Sequence, residues 1–306
     1  MRPNVTIAGP RRRTIDHFAD RLIAACRAKG APVCVGLDPV YERLPAAVCP
    51  QGFDRVPAEE QLASIERWAN ELLEVVRPYA ACVKFQSACF ERYHWQGQRL
   101  LDQLIERAAG TDLLVILDAK RGDIGISAEH YAVGCLADGP DALTVNSYLG
   151  ADSLDPFVRV ASDRGKGLFA LVRTSNPGGD DLQTLGLAAG GTVADATARM
   201  VARVGEPYLG SMGYSLLGAV VGATKSADAA RMRQLMPHQV FLVPGFGAQG
   251  GSADDVKACF KADGTGALIT ASRSVIYAHE KAGGDWRDAV RNAVADMNKQ
   301  VGAILG

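Results

Sequence analysis

The chain alternates short β-rich segments with amphipathic helical segments, and this order most limits what it can fold into. Strand-like composition recurs at 33–37, 81–85, 113–117, 142–145, 168–172, 217–221, 240–243 and 267–270. The intervening segments carry apolar residues at helical spacing, for example Leu62, Ile65, Trp68 and Leu72 after an acidic start at 58–60. Eight strands that alternate with helices predict an α/β fold of the (β/α)8 type, a TIM barrel.

We expect one further helix before the barrel. Apolar residues recur there at Phe18, Leu22, Ile23 and Cys26. Thr14 is a candidate N-cap of this helix, and Gly30 is a candidate for its end. No repeat or linker divides the chain, so residues 1–306 are predicted to form a single domain, with a flexible N-terminal arm at 1–13.

Composition and charge exclude several classes of protein. A formal net charge of -1 gives no electrostatic footprint for nucleic acid or a membrane surface, and no apolar run is long enough for a transmembrane helix. The basic run 11–13 precedes Thr14, Ile15 and Asp16 rather than an apolar segment, so we expect no secretory signal. The 7 cysteines form no C-x-x-C pair, which favours buried, reduced thiols and a cytoplasmic protein. The 5 histidines show no ligand-like spacing, and no metal site is expected.

The run 117–124, L-D-A-K-R-G-D-I, places two acids and a lysine at the end of the third strand-like segment. Because side chains alternate along a strand, Asp118 and Lys120 are expected on the same face, where opposite charges hold each other ionised. Asp123 would lie beyond the strand, in a loop. By itself, this D-x-K-x-x-D spacing also fits a chance match or an ordinary surface ion pair.

Polar residues also lie at the ends of the other predicted strands or just after them, and in a barrel these positions meet at one mouth. They include Asp38, Lys84, Ser175 and Arg273. The segment 245–250 formally spells G-x-G-x-x-G, but it follows the seventh strand directly after Pro244 instead of opening a βαβ unit, so we reject a dinucleotide fingerprint. Gly-rich loops after strands seven and eight are instead typical of a phosphate site, and Arg273 supplies the charge that a phosphate requires.

Taken together, these stretches resemble the orotidine 5'-phosphate decarboxylase family, in its longer bacterial branch. The resemblance rests on V-G-L-D-P at 35–39, V-K-F-Q at 83–86, D-A-K-R-G-D-I at 118–124, T-S-N-P-G at 174–178, P-G-F-G-A-Q-G-G at 244–251 and S-R-S-V-I-Y at 272–277. It implies loss of CO2 from orotidine monophosphate to give uridine monophosphate in pyrimidine biosynthesis, without metal or organic cofactor. One departure is Ser272, where the family usually has glycine.

The resemblance also implies roles for individual residues. Lys120 would donate the proton to C6 of the pyrimidine, and Lys84, Asp118 and Asp123 would complete an alternating charged tetrad. The expected substrate contacts are Asp38 and Lys84 to the ribose, Ser175 to the pyrimidine edge, and Gln249 and Arg273 to the phosphate. Asp123, with Ile124 and Ser127 beside it, would act in the neighbouring subunit's site, which implies a homodimer.

Three alternatives stay open at this point. Metal-dependent sugar-phosphate lyases and aldolases of the same superfamily also carry D-x-K-x-x-D, but their second strand typically offers a glutamate to the metal, where this chain has Lys84. A Schiff-base aldolase would need a neutral lysine, which neighbouring aspartates disfavour. A non-enzymatic nucleotide-binding barrel is the third, although such a retired site should have lost a member of the tetrad.

Overall fold

The structure, a computed structural model, describes residues 16–49, 55–223, 226–246 and 253–305. Thr14, the predicted arm at 1–13 and Gln249 lie outside the described residues. Parallel strands pair in chain order and close into an eight-stranded barrel, which confirms the predicted (β/α)8 fold. The strands are β1 (Val33–Leu37), β2 (Cys82–Gln86), β3 (Leu114–Arg121), β4 (Ala142–Val145), β5 (Gly167–Arg173), β6 (Leu217–Val221), β7 (Phe241–Pro244) and β8 (Ala267–Ala271).

Helices precede, connect and follow the strands. They are α1 (Phe18–Lys29), α2 (Ala58–Val76), α3 (Ser87–Glu91), α4 (His94–Ala109), α5 (Gly125–Ala132), α6 (Asp155–Arg164), α7 (Asp180–Gln183), α8 (Val193–Gly205), α9 (Ser226–Leu235), α10 (Ala253–Lys257), α11 (Arg273–Ile276) and α12 (Trp286–Leu305). Short 3-10 helices lie at Tyr41–Arg43, Ala46–Val48, Pro177–Gly179 and Ala278–Glu280, and a π-helical turn at Val133–Ala137 continues α5. No helix in the described ranges is long and apolar enough to cross a membrane.

The extra N-terminal helix α1 is confirmed, and it lies against the N-terminal end of the barrel. His17, and not the predicted Thr14, caps it by accepting a hydrogen bond from the Ala19 amide, and Gly30 ends it as predicted, with a positive φ of 77°. The edge of the Phe18 ring packs on Phe169, with ring centroids 6.0 Å apart. A Cβ at Gly167 would come within 2.0 Å of the Phe18 ring, so only glycine fits there.

Alternation along each strand divides the apolar core into two layers. Val33, Val35 and Leu37 of β1 pack outward with the apolar faces of the helices, including Trp68 of α2. Cys34 of the same strand belongs to the apolar cluster inside the barrel, together with Cys82, Ile116 and Phe169. All seven cysteines are free, as predicted, although four of them are half-buried: Cys26, Cys49, Cys89 and Cys135.

Candidate active site

A cavity of about 420 Å³ opens at the C-terminal ends of the strands, and every strand or the segment after it contributes to its wall. The walls are formed by Asp38, Lys84, Gln86, Asp118, Lys120, Thr144, Leu171, Thr174, Ser175, Asn176, Val220, Leu242, Pro244, Gly245, Phe246, Thr270, Ala271, Ser272 and Arg273. Barrels of this type carry their chemistry at this end. The cavity therefore brings together six of the residues predicted from the sequence: Asp38, Lys84, Asp118, Lys120, Ser175 and Arg273.

The charged groups reach this cavity because of strand alternation and register. Lys84 follows Cys82 at the next inward position of β2, and Asp118 follows Ile116 in the same way on β3. The parallel register pairs Gln86 with Asp118 and Gly36 with Lys84, so these strand ends lie side by side. The two lysines and two aspartates are thereby held on adjacent strands.

Asp118 lies at the centre of a compact ion network. Its Oδ2 accepts a hydrogen bond from Lys84 Nζ at 2.8 Å, and its Oδ1 accepts one from Lys120 Nζ at 2.7 Å. Asp38 Oδ1 lies 3.6 Å from Lys84 Nζ. The side chains of Lys84 and Asp118 are only 6% and 9% exposed, whereas that of Lys120 is 46% exposed. Lys120 is thus the ammonium of this network that faces the open space of the cavity.

The surroundings shift the pKa values of the two buried groups. Burial alone lowers the pKa of Lys84, but the carboxylates of Asp38 and Asp118 outweigh burial and leave that pKa above its ordinary value. Burial raises the pKa of Asp118, and the ammonium groups of Lys84 and Lys120 more than reverse this, so its pKa lies well below the usual range. At neutral pH Lys84 is therefore a cation and Asp118 an anion.

The backbone of Lys120 departs from the regular strand on which the predicted contact rested. β3 runs past Leu117 to Arg121, its register with β4 shifts between these two residues, and Lys120 has a left-handed φ of 48°. This conformation is rare for a residue with a side chain and marks local strain. The predicted contact between Asp118 and Lys120 is confirmed, but an irregular turn of the backbone forms it.

Thr144 of β4 fixes this irregular turn, and the sequence analysis missed it. Its hydroxyl donates to Asp118 Oδ1 at 2.8 Å and accepts from the Lys120 amide at 2.9 Å. Thr144 is buried between the apolar neighbours Leu143 and Val145. A polar residue at the inward position of an otherwise apolar strand was the available signal.

The segment that carries Ser175 is held by two polar side chains, the buried Arg173 and the half-buried Gln183. Gln183 Oε1 accepts from the Thr174 amide at 2.9 Å, and Gln183 Nε2 donates to the Thr174 hydroxyl at 2.8 Å. Arg173 is buried, and its guanidinium donates to Asp180, Gln183 and Asp228. These bonds tie the start of the segment to α7 and α9.

Arg273 and Ser272 follow β8 at the rim of the cavity. Arg273 is exposed and begins α11, which leaves its guanidinium accessible to a ligand. Ser272 points toward β1, where a Cβ on Gly36 would lie 2.0 Å from Ser272 Oγ. A serine fits at position 272 because position 36 is glycine.

Three of the predicted site residues do not reach this cavity. Asp123 Oδ1 accepts a hydrogen bond from the amide of Ile124 at 2.8 Å, and Ile124 and Ser127 are exposed. Further exposed apolar side chains follow on α5, on the turn after it and after β4: Ile126, Tyr131, Val133, Tyr148 and Leu149. Asp123 therefore lies outside its own chain's cavity, and the exposed apolar side chains of Ile124 and Ile126 follow it in the sequence.

Comparison with known proteins identifies the family. The model of the Orotidine 5'-phosphate decarboxylase / HUMPS family matches residues 31–284. The orotidine 5'-phosphate decarboxylase of Rhodopirellula baltica is 41% identical over 299 residues, which cover 93% of this chain and 98% of that protein. The enzyme of the same name from Deinococcus radiodurans is 40% identical over 292 residues, which cover 94% of this chain and 98% of that protein.

The fold is similar as well. A crystal structure from Streptomyces avermitilis, which its description assigns to orotidine 5'-phosphate decarboxylase, matches with a TM-score of 0.80 and 33% identity over 99% of both chains. The region that the family model matches, residues 31–284, includes all eight strands and every residue that lines the charged cavity. This chain belongs to the orotidine 5'-phosphate decarboxylase / HUMPS family, as the motifs at its strand ends predicted.

Proposed function

We propose that this chain converts orotidine 5'-monophosphate to uridine 5'-monophosphate and CO2, with Lys120 as the proton donor. The bond between C6 and the carboxylate carbon breaks, its electron pair stays on C6, and the proton from Lys120 forms the new C–H bond. The observation that carries the proposal is the Lys120 ammonium, fixed by Asp118 at 2.7 Å and open to the cavity. A carbanion at C6 lies in the ring plane, where the π system cannot delocalise it, so a positioned cation is the group that stabilises it.

The other charged groups hold this ammonium in position. Asp118 is flanked by both lysines, and its pKa stays low because of them, so the carboxylate is a permanent anchor for Lys120. Lys84 lies between Asp118 and Asp38. Asp38 and Lys84 would bind the ribose hydroxyls of the substrate. An anchor that is already ordered before the substrate binds reduces the reorganisation needed in the transition state.

The two ends of the substrate would bind on opposite sides of the cavity. Ser175 contacts the edge of the pyrimidine, and Arg273 contacts the phosphate together with Gln249, which lies outside the described residues. A guanidinium offers two parallel hydrogen bonds to a phosphate, which suits the exposed Arg273. Phosphate binding remote from C6 would supply binding energy that is used at the reacting centre.

The proposal includes a homodimer with shared sites, in which Asp123 serves the partner's cavity and Ile124 and Ser127 lie beside it. It is supported by the position of Asp123 outside its own cavity, next in the sequence to exposed apolar side chains. In a two-fold dimer, each subunit would present these side chains to the other. We further propose that the chain forms a single domain and works in the cytoplasm; its free thiols support that compartment.

A complementation experiment tests the shared site. Inactive Lys120→Ala protein is mixed with inactive Asp123→Asn protein under conditions that exchange subunits. Each heterodimer then holds one site that lacks both groups and one intact site, so about a quarter of the activity should return at equal mixing if pairing is random. Verified heterodimers without activity would place Asp123 in its own chain's chemistry.

The metal-dependent lyase is the competing function, and one assay separates the two. The loss of orotidine monophosphate is followed by its ultraviolet absorbance, with and without a chelator. We expect turnover that the chelator leaves unchanged, because Lys84 and Lys120 already neutralise the acids that a divalent cation would need. Turnover that requires an added divalent cation would favour the lyase, and no turnover would contradict the proposal.

A further inference from the structure

We propose that Tyr277 is a positioning residue of this active site and that it acts through Asp38. The inference rests on the proposed function, since it concerns how Asp38 is held for the substrate. Tyr277 is 2% exposed and is not among the residues that line the cavity. Its hydroxyl nevertheless contacts the backbone on which Asp38 is mounted.

The Tyr277 hydroxyl bridges two backbone atoms on either side of Pro39. It accepts a hydrogen bond from the Val40 amide at 2.7 Å and donates one to the Asp38 carbonyl at 3.0 Å. Burial raises the pKa of Tyr277, so the hydroxyl keeps its proton and can donate and accept at once. The Tyr277 hydroxyl therefore fixes the backbone after β1 at Asp38, whose side chain lines the cavity.

These two hydrogen bonds matter because few other contacts fix the position of the Asp38 carboxylate. Its Oδ1 is buried and, within the described ranges, has no hydrogen-bond partner. Lys84 Nζ approaches the same oxygen at 3.6 Å. A carboxylate that is not fixed by its own hydrogen bonds takes its position from its backbone, and Tyr277 holds that backbone.

Tyr277 is itself rigidly mounted. Its ring stacks on Trp68 with an interplanar angle of 14°, and the Arg43 guanidinium lies 4.0 Å from the ring centroid. Arg43 is fixed in turn by two hydrogen bonds to Glu280. The amide of Tyr277 also donates to the carbonyl of Arg273 at 3.3 Å, so the same residue ends the short helix that begins at the proposed phosphate contact.

A double-mutant cycle tests the inference. Tyr277→Phe keeps the stacked ring and removes only the hydroxyl. We expect it to lower kcat/KM for orotidine monophosphate about tenfold, because two hydrogen bonds to the Asp38 segment are lost. Asp38→Asn should lower kcat/KM much less in the Tyr277→Phe background than in the unmodified chain, because a displaced carboxylate already contributes less to kcat/KM.

Tyr214→Phe is the matched control. Tyr214 is also 2% exposed, and its hydroxyl bonds Thr265 at 2.7 Å, at the other end of the barrel. We expect this variant to leave kcat/KM unchanged and to leave the full cost of Asp38→Asn in place. The control separates the loss of a buried tyrosine hydroxyl from the loss of the Asp38 support.

The folded fraction of each variant is measured by denaturant unfolding and kcat/KM is calculated per folded enzyme, so a partly unfolded variant does not distort the cycle. An equal cost of Asp38→Asn with and without the Tyr277 hydroxyl would overturn the inference while the proposed function stands. No turnover by the unmodified chain would overturn the proposed function, and this inference with it.

Discussion

The two ends of the barrel interior differ in chemistry although the same strands build both. At the N-terminal end the inward side chains are apolar, and α1 covers them with Phe18 and Leu22. At the C-terminal end the inward side chains include the charged and polar Lys84, Asp118 and Thr144, beside the apolar Leu171, Val220 and Leu242. Burying apolar groups stabilises a fold, whereas burying ions costs free energy that their mutual attraction only offsets. The apolar end is therefore expected to stabilise the barrel, and the charged end to perform its chemistry.

The change from one chemistry to the other takes a single inward step along a strand. Cys82 precedes Lys84 on β2, and Ile116 precedes Asp118 on β3. Two residues advance a strand by about 6.6 Å. The ions thus lie directly on an apolar layer, which limits their movement and keeps water from beneath them. The following predictions test how strictly stability and activity are divided between the two ends.

The largest effect is expected for Lys120→Ala at the charged end. It should lower kcat by at least about 10²-fold, because a positioned general acid contributes roughly 10² to 10⁴. The free energy of unfolding should stay nearly the same, since the lysine is half-exposed and its backbone is held through the Thr144 hydroxyl. Steady-state kinetics and urea unfolding measure the two quantities. Lys29→Ala, which removes a lysine paired with Asp112 outside the cavity, is the control. More than a tenth of the kcat remaining in Lys120→Ala would contradict its role.

Phe18→Ala should have the opposite effects at the apolar end. The ring is buried against Phe169 and Gly167, and truncating a buried phenylalanine costs roughly 3 to 5 kcal/mol of stability. Below the unfolding transition, kcat and KM should be unchanged. Denaturant unfolding and kinetics at low temperature check both. Trp95→Ala removes an exposed aromatic side chain and should change stability by less than about 0.5 kcal/mol. A drop in kcat for folded Phe18→Ala would show that the two ends are coupled.

Gly36→Ala should lower the free energy of unfolding through a steric clash at the charged end. The new Cβ would lie 2.0 Å from Ser272 Oγ, and overpacking of this kind costs roughly 1 to 3 kcal/mol. Adding Ser272→Gly to the same chain should restore stability, because the next atom, Asp38 Oδ1, is then at an ordinary 3.5 Å. The free energies of unfolding of the two single variants and of the double variant complete the test. If the double variant is no more stable than Gly36→Ala, some other contact causes the strain.

The smallest effect concerns pH. The folded-state pKa of Asp118 lies below the ordinary value of about 4, so this carboxylate contributes stability above that pH. The contribution is lost as the pH falls from about 4 toward the folded-state pKa. Between about pH 4 and pH 3, the unmodified chain should lose about 1 kcal/mol more unfolding free energy than Asp118→Asn does, because the unfolded carboxyl is only partly protonated over this range. Phe18→Ala should follow the unmodified chain in parallel. Parallel curves for Asp118→Asn would mean that the buried ion pair has no pH-dependent share in stability.

Local patterns in the sequence were sufficient for the fold. The eight strands, α1 with its end at Gly30 and the amphipathic α2 follow from periodicity and from residues that end helices, and the structure confirms each of them. The convergence of Lys84, Asp118 and Lys120 also followed from their positions at strand ends, since all parallel strands of a barrel end at one mouth. The position of a residue at the C-terminal end of a predicted strand is therefore enough to predict that it lies at the barrel mouth.

Tertiary structure alone decided the contacts that hold this site. Thr144 of β4 donates a hydrogen bond to Asp118 of the neighbouring strand β3. The Tyr277 hydroxyl donates one to the backbone of Asp38, more than 200 positions away in the sequence. Ser272 and Gly36 fit together only because β8 closes against β1. The left-handed turn at Lys120 is likewise invisible in the residue order, because a register shift against β4 imposes it. The sequence determines which groups meet at the mouth, since periodicity is local, but the geometry of their contacts depends on neighbours that only barrel closure brings together.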